Sequence, residues 1–448
     1  MKISYPKSLV CSLLSSVFLL AFVCARPAQA AYETGGVVKT FLSNGVTVLM
    51  LKEPDAKVVA IEMFIRIGAE DENSTNAGIG QLVAGSILAG TETRSAAKLA
   101  RLTSEVGGNF HAVWQPNYLE VYAVTLPDMA DAAVSLLADS VLNSKFDQSA
   151  VDYARSAIAK ESKRQADDAF TSAYSALRRL VQRGSVYDRP YLGDPEKLKS
   201  VTGEQLKAFY ERNLSADRVV ISVVGSVDFD KVSRKIEVCF GRMSRIPAQP
   251  AKETPSVSGR ELRIEKPGSE AYVMVGYPAP GVESPDYAAM CVANVLLGGN
   301  KSSLMFRNLR EQRGLAYRVG SVYPVLRGGS HIAAYLGMDS ARATPDALSA
   351  ARDGILEQVQ TLRSGAFTNE DLERAKGYLM GNHALQHQRV RDRAFLLGRF
   401  EALGLGYQYD FRFADKVKEV TRERLLDLLT RYLKSPSVVI LSPPESGK

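Results

Sequence analysis

The sequence predicts an α+β protein of two similar domains, each an antiparallel-rich sheet with helices packed on one face. Three observations predict this: a repeat that ends both halves alike, strands of period-two alternation, and hairpin-like joins between neighbouring strands. VTGEQLKAFYERNLSADRVVISVVG from Val201 matches VTRERLLDLLTRYLKSPSVVILSPP from Val420 at a constant offset of 219. Thr202 pairs with Thr421, Glu204 with Glu423, Leu206 with Leu425, Arg212 with Arg431, and Val219-Val220-Ile221 with Val438-Val439-Ile440. In each copy a Thr caps an amphipathic helix, a Glu sits in its first turn, and a β-branched strand follows. A second register, FDQSAVDYAR from Phe146 against FTNEDLERAK from Phe367, opens a helix in both halves at an offset of 221.

Taken in order, the chain begins with Lys2 and Lys7, an apolar run from Leu9 to Ala25, and Ala28-Gln29-Ala30. Residues 1–30 read as a secretory signal peptide cut before Ala31. The run is short for a membrane anchor and carries Ser12, Ser15 and Ser16; Cys24 lacks the small residue before it that lipid attachment needs. The expected product is exported and periplasmic, with no membrane span after cleavage. Removing that segment takes away Lys2, Lys7 and Arg26 and no acid, so the net charge falls from +7 to +4. That charge makes no case for nucleic acid. Cys239 and Cys291, each in apolar surroundings, read as buried thiols rather than a disulfide framework.

The first domain spans residues 31–243. Asn44-Gly45 predicts a tight hairpin turn into the strand Val46 to Leu51. Val59, Ile61, Met63, Ile65 and Ile67 alternate with Ala60, Glu62, Phe64 and Arg66, which predicts a strand with one face committed to the core. A buried helix is expected over Asn76 to Gly90, an amphipathic helix over Thr93 to Val106, a strand over Leu119 to Leu126, and long helices over Gln148 to Arg183. Pro247, Pro250 and Pro255 mark residues 244–259 as a linker. The second domain, 260–448, reads similarly: strands at Leu262 to Ile264, Tyr272 to Tyr277 and His331 to Met338, a helix over Pro285 to Leu297, and long helices within Asn369 to Leu405.

Arg310 and Tyr317 stand seven residues apart around Gly314. A guanidinium and a phenol so placed can donate hydrogen bonds to one carbonyl or developing oxyanion, and neither is a nucleophile at neutral pH. The run from Gly298, GGNKSSLMFRNLREQRGLAYRV, resembles the second-half signature GGxxSSxLFxxLREKRGLAYxV of the pitrilysin/insulinase family of zinc metallopeptidases, the mitochondrial processing peptidase branch included. GLGYQYDFRFADKVKEVT from Gly404 also resembles that branch. The resemblance implies two processing-peptidase-like domains and makes Arg310 and Tyr317 substrate-binding residues that contact carbonyls near the scissile bond.

Active members of that family carry HxxEH within a run of the form GIAHFLEHMLFKGT: two His ligands one helical turn apart, a Glu as general base, and a more distant Glu as third ligand. This chain keeps the frame at Gly78, GIGQLVAGSILAGT, with Gln81 and Gly85 at the ligand positions and Ala84 at that of the base. Glu161 falls near the third ligand's place. One carboxylate without imidazoles cannot hold zinc tightly, so no catalytic residue and no metal is assigned here, and Glu161 is expected to be a helix-surface or interface acid. His383 and His387 have the i, i+4 spacing of a zinc clip, but Gln386 stands where the Glu would be and no third ligand is evident. His111 and His331 read as structural.

With an intact Arg/Tyr motif and an emptied zinc motif, the chain resembles the second half of a divided peptidase. The resemblance implies no cofactor in this chain, zinc in a partner subunit bearing HxxEH, and an extended peptide as shared substrate. Two other expectations stand beside it: an inactive scaffold of an envelope complex, and a metalloendopeptidase with a displaced site at His383 and His387.

Overall fold

The computed structural model describes residues 32–247 and 259–444. The expected signal peptide and most of the expected linker lie outside them. Strands β1 (Tyr32–Thr34), β2 (Val37–Phe41), β3 (Thr47–Lys52), β4 (Val59–Ile65), β5 (Asn109–Trp114), β6 (Leu119–Thr125) and β7 (Val219–Gly225) form one sheet in the order β1-β2-β3-β7-β4-β6-β5. Strands β8 (Glu261–Glu265), β9 (Glu270–Pro280), β10 (Arg318–Val322), β11 (Gly329–Asp339) and β12 (Ser437–Ser442) form the other, in the order β10-β11-β9-β12-β8. β7 runs parallel to β3 and antiparallel to β4, and β12 runs parallel to β8 and antiparallel to β9. The repeat read in sequence is thus a repeat of topology.

The helices of the first half are α1 (Ile79–Ser86), α2 (Ala96–Glu105), α3 (Ala130–Leu142), α4 (Gln148–Asp167), α5 (Ala169–Val181), α6 (Pro195–Leu198), α7 (Gly203–Asn213) and α8 (Phe229–Phe240). Those of the second are α9 (Tyr287–Asn294), α10 (Pro345–Arg363), α11 (Asn369–Leu385), α12 (Val390–Ala402), α13 (Gln408–Lys418) and α14 (Arg422–Tyr432). The repeated caps form as expected: Thr202 Oγ1 accepts from Gln205 N and Thr421 Oγ1 from Arg424 N, each at 3.2 Å. Each satisfies an amide that a helix start would otherwise leave unpaired. The Asn44-Gly45 hairpin joins β2 to β3 with Gly45 at φ 96°.

Boundaries shift where one residue's backbone demands it. The helix expected over 76–90 is confined to α1, because Gly78 at φ 92° occupies the left-handed region and helical geometry begins only after it. The helical stretch 148–183 breaks at Asp168, whose carboxylate caps α5 through Thr171 N at 2.7 Å.

A larger correction concerns β4, expected to bury one face only: all seven of its residues are buried. The helices of its own half cover one face, where Ile61, Met63 and Ile65 join Leu82, Val83 and Leu137. Ala60 and Phe64 on the opposite face pack in one core with Ala394 and Leu397 of α12, a helix of the second half. Reciprocally, Ala173, Leu177 and Val181 of α5 pack on Tyr272, Met274, Val439 and Leu441 of the second sheet. Adding the 221-residue offset to Ala169–Val181 gives Val390–Ala402, so the two halves exchange the same helix.

Candidate functional site

The Arg/Tyr segment is built on a π-helical turn, Phe306–Gln312, followed by Gly314 at φ 58° and the edge strand β10. π-Helical turns are uncommon and recur at functional sites. Here the turn places the Arg310 guanidinium 4.8 Å from the Phe306 ring centroid and 4.9 Å from that of Tyr317. Its neighbours are tethered: Arg313 to Glu357 at 2.7 Å, Asn308 Nδ2 to Gln358 Oε1 at 2.5 Å, and Arg342 to the Gly314 carbonyl at 3.0 Å. Arg310 itself faces aromatic rings, and among the described residues no carboxylate pairs with it. Tyr317 is 75% exposed. Two donors are therefore brought together, held by stacking, and left open to a ligand. The stacking role of Phe306 was not singled out in the sequence; its place four residues before Arg310 was the available signal.

The degenerate zinc positions all lie on α1. Gln81 Nε2 donates to the Tyr191 carbonyl at 3.3 Å, and Ala84 packs at the edge of the first-half core. Gly85 sits against α4 so closely that a Cβ there would lie 2.7 Å from that of Ala154. A side chain at position 85 thus requires the two helices to part. Glu161, on α4, is engaged by Arg164 at 2.6 and 2.7 Å and by Gln165 at 2.9 Å. Those hydrogen bonds, Arg164 first, hold its carboxyl at about 2. It is a partly exposed helix-surface acid.

Beside the start of α1 runs a groove of about 930 Å³ lined by Ala77, Ser162, Gly193, Arg179, Arg183 and Arg260. A second cavity of about 290 Å³ is walled by Trp114, Tyr174, Tyr187 and Tyr191 from the first half and by Pro324 and His331 from the second. His331 is buried and bonded by Tyr174 Oη at 2.9 Å and Gln182 Nε2 at 3.3 Å; burial pushes its imidazole down to about 3. It stays neutral and structural. His111 stacks on Tyr122 with centroids 5.0 Å apart. Cys239 and Cys291 are free thiols.

His383 and His387 do have a third companion, Asp410 on α13, absent from the sequence reading because it lies on another helix. Among the described residues no helix is long and apolar enough to cross a membrane.

Comparison with known proteins fits this geometry. The family model described as Insulinase (Peptidase family M16) matches residues 47–192, and that described as Peptidase M16 inactive domain matches residues 200–379. An uncharacterized zinc protease of Mycobacterium leprae is 27% identical over 94% of this chain and 95% of its own length. The uncharacterized zinc protease YmxG of Bacillus subtilis is 25% identical over 89% and 97%. Among solved structures, a protease from Helicobacter pylori superposes with a TM-score of 0.82 at 17% identity, covering 93% of this chain and 100% of its own. A peptidase M16 inactive domain from Pseudomonas fluorescens gives 0.81 at 21%, covering 92% and 99%. These last two share the fold. With a match on each half and full-length likeness to bacterial zinc proteases, the chain belongs to the pitrilysin/insulinase family of zinc metallopeptidases, as a member with Gln81, Ala84 and Gly85 in place of the HxxEH groups.

Proposed function

We propose that this chain is the non-catalytic, substrate-binding subunit of a heteromeric periplasmic zinc peptidase that cleaves peptides or unfolded polypeptides. One observation carries the reading: Arg310 and Tyr317 are stacked on each other, with Tyr317 exposed, Arg310 partly so and no carboxylate pairing with it among the described residues, while the helix that should hold zinc offers an amide, a methyl group and a glycine packed against α4. Without a base at Ala84 or imidazoles at Gln81 and Gly85, this half cannot activate water by the family's chemistry. Binding equipment alone gives no turnover. Beside a partner's zinc, two donors aimed at the carbonyl next to the attacked bond stabilise the charge that develops there.

The partner is a family member with an intact HxxEH. The shared substrate is an extended peptide, and its backbone adds to an edge strand of the zinc subunit. The arginine-lined groove beside α1 suits an extended chain with acidic side chains. The test is a peptidase assay on an unstructured peptide, with this chain alone and with its HxxEH partner. The pair is expected to cleave and the single chain to be inert; full activity without the partner ends the reading. A scaffold role predicts instead that Arg310→Ala and Tyr317→Phe leave the pair's turnover unchanged.

A further inference from the structure

The turn that ends α11 brings its two imidazoles onto a buried carboxylate. His387 Nδ1 lies 2.7 Å from the His383 carbonyl, to which it donates, and its Nε2 lies 2.8 Å from Asp410 Oδ2. His383 Nε2 lies 3.3 Å from Asp410 Oδ1 and 2.9 Å from the Asp410 carbonyl oxygen. The Asp410 side chain is 2% exposed, and its Oδ1 has no hydrogen-bond partner among the described residues. In a neutral His387 that donates from Nδ1, the Nε2 lone pair faces a carboxylate oxygen. Two acceptors in contact require a cation between them, either a proton or a metal.

The donor set suits a metal. Two imidazoles and one carboxylate, with a fourth position left open, is a zinc ligand set. A ligating His characteristically donates its other N–H to a backbone carbonyl, as His387 does. The three ligand atoms all lie within 4.8 Å of one another. Around zinc at roughly 2.0–2.1 Å, tetrahedral ligand atoms stand about 3.3 Å apart. The His387 contact opens by about half an ångström to reach that spacing, and His383 exchanges its bond to the Asp410 carbonyl for the ion. His387, the most exposed of the three at 29%, gives entry.

We propose that His383, His387 and Asp410 bind one divalent transition cation of the zinc class, with solvent in the fourth position, fastening the end of α11 to α13. The site is structural: Gln386 stands where a general base would be needed. The test uses untagged protein, stripped with chelator and titrated with Co2+ and with Zn2+. One ion per chain is expected, with visible d–d absorption for Co2+, a Zn2+-dependent rise in Tm, and at least a tenfold loss of affinity in His387→Ala. Asp410→Asn should lose the ion as well; Asp410 is buried, so the more exposed His387→Ala decides. Substoichiometric uptake, or equal uptake by His387→Ala, overturns the proposal and leaves an imidazolium–carboxylate pair. Peptide hydrolysis by the zinc-loaded single chain would instead overturn the function proposed above while leaving this site intact.

Discussion

The exchanged helices α5 and α12 occupy equivalent places in the repeat yet dock by different chemistry. Under α5 the contact is largely apolar, apart from Tyr174 and Gln182 bonding the neutral His331 of β11, and the knob is on the helix: a Cβ on Gly276 of β9 would come within 2.9 Å of Leu177. Under α12 the knob is on the sheet, since a Cβ on Gly398 would come within 2.4 Å of the Phe64 ring. That interface is also ionic. Arg391 reaches Glu62 at 2.9 Å and Glu120 at 2.5 Å, both buried, and lies 4.0 Å from the Tyr122 ring centroid. Lys39 meets Glu401 at 2.6 Å, and Arg393 meets Glu53. One repeat therefore supplies the same closure twice, once mainly by apolar packing and once through a cation shared by two carboxylates. The two closures should respond to pH in opposite senses: the α12 side loses stability as pH rises through the folded Glu62 value, and the α5 side, through His331, loses it as pH falls below the ordinary imidazole range.

The largest effect should come from the mainly apolar side. Leu177→Ala, at a fully buried position, is expected to cost about 2–5 kcal/mol in urea unfolding. Arg391→Ala should cost about 3 kcal/mol, the low end for a broken buried pair, because Arg391 is one-third exposed and protonation of Glu62 relieves part of the loss. An equal or larger cost than Leu177→Ala would reverse the ranking of the two interfaces.

The ionic side should then show itself in pH. Desolvation first, and Glu120 second, raise the Glu62 carboxyl well above its ordinary value. A carboxyl raised on folding contributes stability that is complete below the unfolded value, about 4.3, and is lost as pH rises through the folded one. Stability should decline by up to about 1.4 kcal/mol per pH unit across that window, and Glu62→Gln should flatten the decline. A parallel pH profile for the variant would remove Glu62 as the cause. Smallest, Gly85→Ala should destabilise by about 1–2 kcal/mol despite alanine's better helix propensity, because of Ala154; Ala154→Gly should recover part of it. Additive costs in the double variant would show that α1 and α4 are not in conflict there.

What the sequence made legible was local. Thr202 and Thr421 announce their helices because a cap and its amide lie three residues apart, and Asn44-Gly45 announces its hairpin for the same reason. The Arg310/Tyr317 pair was readable from the family's motif, and the emptied zinc frame from three substituted letters. The second buried face of β4 was not readable, since Arg391 meets Glu62 across 329 residues of chain. Alternation along β4 reports its own half's core and is silent about a helix from the other half. Asp410 escaped for a similar reason: it lies 23 residues from His387, on a separate helix, where spacing carries no signal.

Whether this chain grips a peptide that another subunit cuts is tested most directly by turnover of the reconstituted pair. Arg310→Ala and Tyr317→Phe should each lower kcat of the pair, by on the order of 10²–10³ for the arginine, with assembly unchanged and no cleavage by this chain alone. Undiminished turnover in both variants, or cleavage by the single chain at the pair's rate, would contradict it.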